Sequence, residues 1–170
     1  MAIPPAASPF PTDRIVTGSL CYVLRDEPDG GQSVLLLRRD RPPQQGKWSA
    51  PGGKMEQGES PDECVIREIN EETGLAIADP DLRAVVTVYD RAWPIHWLLF
   101  IYRAYHFSGD LKDCEEGELR WIRLDDLAAY DRPYADVQHW PHVLGDDPGV
   151  WRGKFIYDTP DNLIDETRYR

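Results

Sequence analysis

The chain has 170 residues, of which 41% are hydrophobic, 11% aromatic and 29% charged, with 30 Asp plus Glu against 19 Lys plus Arg. That length suits one domain and lets a chain bury roughly two thirds of its unfolded surface, so neither disulfides nor a structural metal is required merely to fold. A net charge of −11 excludes a nucleic-acid polymer or an anionic membrane as the main partner, because both need a basic face, but it leaves small phosphates open if a cation intervenes.

Residues 1–13 are rich in Pro and Ala and lack a basic segment followed by an apolar core. They are expected to form a flexible leader rather than a secretory signal, with 14–170 as a single domain. Ile15–Arg25 and Ser33–Arg39 read as strands separated by the turn Glu27-Pro28-Asp29-Gly30-Gly31. Ala50-Pro51-Gly52-Gly53-Lys54 reads as a glycine turn. Ser60 as N-cap, Pro61 at the first helical position, Glu63 closing an S-x-x-E capping box and Gly74 as the stop predict a helix over Pro61–Thr73. Pro61, Val65 and Ile69 would face its core.

Arg83–Tyr89, Ile95–Phe107 and Glu118–Leu124 supply further strands, with Ser108-Gly109-Asp110 turning between the last two. Short helices are expected over Asp125–Ala129 and Asp136–Leu144, then a final strand over Trp151–Tyr157. A mixed sheet with helices packed on it is the economical architecture. The apolar run Trp97–Tyr102 is far short of the ~20 residues that span a bilayer. Cys21, Cys64 and Cys114 show no paired spacing and read as buried thiols of a reducing, cytoplasmic setting.

The predicted helix carries an oddity. Glu68, Glu71 and Glu72 stand at i, i+3 and i+4, on adjoining rows of one face, where like charges repel. Either water solvates them, or a hard divalent cation compensates them. The glycines just upstream let backbone approach such an ion and offer a carbonyl as a further oxygen ligand. Glu59 and Arg67 would pin that loop to the helix through a carboxylate–guanidinium pair, or form a loose surface contact.

Gly53, Glu59, Arg67, Glu68, Ile69, Glu71, Glu72, Gly74 and Leu75 match, at every fixed position, the Nudix box G-x5-E-x7-R-E-U-x-E-E-x-G-U, where U is a bulky aliphatic. The chain therefore resembles the Nudix hydrolases. That resemblance implies an α/β/α sandwich around a mixed central sheet, and cleavage of a nucleoside diphosphate linked to another group with Mg²⁺ or Mn²⁺. Carried over, Glu68, Glu71 and Glu72 with the Gly53 carbonyl are the metal-binding and catalytic set, and Glu59 with Arg67 is the structural clamp. A loop Glu acting as base or extra ligand would be Glu116, preferred over Glu118 because the latter falls in a strand.

Flanking segments are similar to the MutT-like branch that hydrolyses oxidised purine triphosphates: Val34–Arg39, Gly46–Lys54, Trp121–Leu127, Trp140-Pro141-His142 and Gly153–Tyr157. That branch reads the purine with Trp-Pro-Asp-Asp, where this chain has Arg132-Pro133-Tyr134-Ala135-Asp136, leaving Tyr134 and Asp136 as base contacts. Arg39 and Lys54 are the expected phosphate contacts, among Arg38, Arg41 and Lys47 nearby. The expected partner is a small nucleotide, the expected reaction triphosphate to monophosphate plus pyrophosphate, and the protein a monomer or homodimer. Another nucleoside diphosphate derivative, or a sensor without turnover, is the alternative. The four histidines show no ligand spacing, and Trp93, Trp97, Trp140 and Trp151 read as core and pocket wall.

Overall fold

A computed structural model describes residues 15–42, 44–91, 95–159 and 162–169. The expected leader, the domain start at Arg14 and the side chain of Trp93 lie outside the described residues. In chain order the elements are β1 (Ile15–Asp26), β2 (Gln32–Arg39), β3 (Trp48–Ser49), β4 (Gly52–Lys54), α1 (Pro61–Thr73), β5 (Ala76–Ala78), β6 (Asp81–Asp90), β7 (Ile95–Ala104), β8 (His106–Ser108), β9 (Gly117–Arg123), a 3-10 helix (Leu124–Ala129), α2 (Tyr134–Val143), β10 (Trp151–Thr159) and β11 (Asn162–Tyr169).

Among the described residues nine strands join one mixed sheet in the order β11-β10-β6-β7-β1-β2-β3, with β4 added beside β1 and β9 beside β2. β1 runs parallel to β7, and β10 parallel to β6, while the other pairs are antiparallel. Strand alternation sends Cys21, Val23 and Leu35 to one face, where Val65 and Ile69 of α1 cover them. It sends Tyr22, Leu24, Val34 and Leu36 to the other, against Trp140 and Val143 of α2. This is the expected sandwich, and the double burial explains why β1 and β2 read as nearly unbroken apolar runs.

α1 starts and stops where its capping residues place it. Ser60 accepts from the Glu63 amide, Glu63 returns the bond, and Gly74 ends the helix at φ 81°. Its buried stripe is Cys64, Val65, Ile69, Glu72 and Thr73, and Pro61 is only half-buried.

Five expectations need correction. The glycine turn is in part a strand, because β4 pairs with Gly18–Leu20 of β1. The predicted strand over Ile95–Phe107 breaks at exposed Tyr105: β7 stays in the main sheet, and β8 leaves it to pair with β5. Residues 109–116 therefore form a long connection to β9 rather than a tight turn. α2 begins at Tyr134, on Pro133, two residues before the expected start. β11, which pairs with β10 along the sheet edge, was not foreseen because its mixture of charged and apolar residues shows no regular alternation.

Candidate active site

The site grows from one contact between a strand and a helix. Gly18 in β1 lies so close to β4 that a Cβ there would stand 2.6 Å from the Gly53 carbonyl oxygen. One step on, a Cβ on Gly53 would fall 2.4 Å from Glu68 Oε2. Two bare backbones thus let the Gly53 backbone lie against β1 on one side and the Glu68 carboxylate on the other. Gly52, at φ 139°, turns its amide to Glu72 Oε2 at 2.7 Å.

Arg67 organises the rest. Its Nε and Nη2 donate to the two oxygens of Glu59 at 2.6 and 3.0 Å, a bidentate pair. Nη2 also donates to the Lys54 carbonyl at 3.0 Å, and Nη1 to Glu68 and Glu71, both at 3.0 Å. One guanidinium therefore ties β4, the following loop and one face of α1 together. Its bonds, with that of the Glu56 amide, hold the Glu59 carboxyl down to about 2.

The box carboxylates differ by depth. Glu71 is 60% exposed and leans on Arg67. Glu68 is partly covered, and burial raises its pKa against the lowering effect of Arg67. Glu72 is 9% exposed, and burial pushes it up to about 7 even though the Gly52 amide favours its charged form. Glu116, arriving on the connection before β9, adds repulsion to both Glu68 and Glu72. It is itself paired with Arg39 at 3.3 Å. Glu118 sits in β9 beside Arg38 and Arg120, as its strand position predicts.

Mutually repelling carboxylates, one of them buried, beside a carbonyl, with oxygen donors only, fit a hard divalent cation. Among the described residues no group of three or more His, Cys, Asp or Glu is arranged to hold a metal ion by itself, and Arg67 and the Gly52 amide engage oxygens of Glu68, Glu71 and Glu72. Such a group is not demanded by Mg²⁺, which takes one or two protein carboxylates and keeps waters.

The expected substrate contacts divide. Lys54 is exposed, with its ammonium 5.9 Å from the Trp97 ring centroid on β7. Tyr134 is exposed at the head of α2, its hydroxyl donating to Glu166 at 2.9 Å. Asp136 is only 8% exposed and accepts from Ser49 Oγ at 2.7 Å. Burial pushes it up to about 6, against the lowering bonds from Ser49 and Tyr22. His139, buried beside Tyr22 at 3.1 Å, is a core residue held neutral by burial. Sequence reasoning missed Gly18 and Ser49. An isolated glycine in a strand interior was the available signal for the first, and nothing local marked the second.

A family model described as the NUDIX domain matches residues 16–142. The chain is 37% identical over 132 residues to the uncharacterized Nudix hydrolase YvcI of Bacillus subtilis, covering 75% of this chain and 80% of that protein. It is 33% identical over 108 residues to the putative 8-oxo-dGTP diphosphatase 3 of Mycobacterium tuberculosis, covering 59% of this chain but only 49% of that one. The crystal structure of a MutT protein from Bacillus halodurans superposes with a TM-score of 0.76 at 32% identity, over 90% of this chain and 97% of its own.

Proposed function

The chain belongs to the Nudix hydrolase family, and from that premise we propose that it is a metal-dependent pyrophosphohydrolase that converts nucleoside triphosphates to monophosphates and pyrophosphate. The observation that carries this reading is the joint packing of Glu68 against Gly53 and of Glu72 onto the Gly52 amide, with every box carboxylate retained. Glu68, Glu71, Glu72 and the Gly53 carbonyl would hold Mg²⁺ or Mn²⁺, with Glu116 as base or extra ligand. When bound, the ion would neutralise phosphate charge and lower the pKa of a water.

The protein's own residues supply the rest. Arg67 donates to both Glu68 and Glu71 and so holds them side by side on α1. The Gly52 amide orients Glu72. Glu116 and Arg39 face each other at 3.3 Å, so an arriving phosphate competes with Glu116 for the guanidinium and frees a carboxylate to accept a proton. Lys54 and Arg39 offset the −11 bulk charge where the phosphates enter.

An oxidised purine such as 8-oxo-dGTP is the favoured base because of the MutT-like flanks and the relative from Mycobacterium tuberculosis. Tyr134 offers an aromatic face, whereas the Asp136 carboxylate is engaged by Ser49. kcat/KM with Mg²⁺ for 8-oxo-dGTP, dGTP, the other triphosphates, a dinucleoside tetraphosphate and ADP-ribose tests the proposal. A preference for 8-oxo-dGTP supports purine reading, and flat rates across triphosphates support general clearance of these nucleotides. Turnover of the tetraphosphate or ADP-ribose alone would reject triphosphates as the substrate class, and no turnover at all would favour a sensor.

A further inference from the structure

Ser49 and Asp136 lie 87 positions apart, yet their side chains meet at 2.7 Å. Three more contacts show that the meeting is part of a block. The Trp48 amide donates to the Asp131 carbonyl at 2.9 Å, so the chain entering α2 is fastened to β3 at consecutive residues. From Ser49 only Ala50 and Pro51 intervene before Gly52, whose amide holds Glu72. All three residues are buried, and the Pro51 carbonyl accepts from the Cys21 amide at 3.0 Å. Any play at Ser49 therefore passes along a short, buried segment to Gly52 and Gly53. Asp136 also sits in the first turn of α2, where the positive end of the helix dipole favours a negative charge, which makes its carboxylate a firm anchor.

We propose that Asp136 is a positioning residue: through Ser49 it latches the Ala50–Lys54 segment to α2 and so sets where the Gly53 carbonyl and the Gly52-bound Glu72 stand. The latch rests on the metal-site reading above for its effect on turnover, but not for its existence. It gives Asp136 a task directed at the box rather than at the purine, and it joins the helix on one face of the sheet to the carboxylates on the other.

The test compares wild type, Ser49→Ala, Ser49→Thr, Asp136→Asn and the double variant Ser49→Ala/Asp136→Asn by amide hydrogen exchange on metal-free protein, Mn²⁺ titration calorimetry and steady-state kinetics. Ser49→Ala is expected to speed exchange at Gly52 and Gly53 by about tenfold. It should weaken Mn²⁺ binding and lower kcat by about tenfold each, while nucleotide KM stays within about twofold. Ser49→Thr, which keeps the hydroxyl, restores all three quantities, and Asp136→Asn adds no further loss on top of Ser49→Ala. Wild-type exchange and Mn²⁺ affinity in folded Ser49→Ala would overturn the latch. So would failure of Ser49→Thr to restore them, or a loss confined to nucleotide KM, which would put Asp136 on the substrate. If the wild type binds no Mn²⁺, the metal reading fails separately, and the exchange rates of the metal-free protein still decide the latch.

Discussion

The two helices of the sandwich are built on different physics. α1 carries charge to its covered face: Glu72 is buried, Glu68 is partly covered, and Arg67 compensates several carboxylates at once. α2 covers its side of the sheet with aromatic and aliphatic packing around Tyr22, Trp140 and Phe155, and its buried polar groups, Asp136 and His139, meet neutral hydroxyls of Ser49 and Tyr22. The first helix holds charge that invites a cation, whereas the second supplies shape and a fixed frame. Clustered charge and apolar support are thus separated onto opposite faces, and the β3–β4 segment touches both.

The sharpest break of that contrast removes the charge from α1. Glu72→Gln and Glu71→Gln are each expected to lower kcat by about 10³-fold, equivalent to about 4 kcal/mol of barrier, in Mg²⁺ assays. Full activity in either variant would remove that residue from the site. Arg67→Ala is expected to cost about 10²-fold in kcat with a clear fall in Tm. Arg67→Lys recovers only part of each, because an ammonium cannot make the bidentate contact to Glu59.

Stability against pH separates the two helices further. A Glu72 pKa raised from 4.5 to about 7 means the folded state binds more protons than the unfolded one between those values. The associated stability is present below pH 4.5 and is lost as pH rises through about 7, to the extent of about 3 kcal/mol. Asp136, raised from 3.8 to about 6, acts in the same direction over a lower window. Glu59 acts oppositely: its stabilisation is present above 4.5 and disappears as pH falls towards 2. Metal-free protein should therefore melt at a higher temperature at pH 6 than at pH 8, in scans with chelator present. Glu72→Gln should flatten most of that slope, and Mg²⁺ should recover more stability at pH 8 than at pH 6.

Adjacent glycines sharpen the comparison at lower amplitude. At Gly53→Ala the nearest atoms are those of the Glu68 carboxylate, a side-chain end, so kcat is expected to fall about tenfold with little change in Tm, whereas Gly52→Ala meets the Ser19 carbonyl at 2.2 Å from a φ of 139° and should lose folded yield. The smallest effect belongs to the substrate end. Tyr134→Ala should raise nucleotide KM a few-fold if its ring stacks on the base, and an unchanged KM would place the base elsewhere.

The legibility of the chain follows the same division. Ser60, Pro61, Glu63 and Gly74 delimit α1 because capping is a local interaction, readable within a few residues. The Glu59–Arg67 clamp, eight residues apart, was equally visible. Gly18 facing Gly53 and Ser49 facing Asp136 depend on how distant strands and helices stack, and no local pattern announces such pairs. β4 was masked by its two glycines, which signal a turn, although here they allow close backbone approach. The break after Ala104 lay in the stretch Tyr102-Arg103-Ala104-Tyr105-His106-Phe107, which has no Gly or Pro to mark a boundary.

The most direct test of the central claim is product analysis of dGTP hydrolysis by ³¹P NMR, with Mg²⁺ and with chelator. Metal-dependent formation of dGMP and pyrophosphate is the predicted result. Release of dGDP and inorganic phosphate, or equal turnover in chelator, would contradict it.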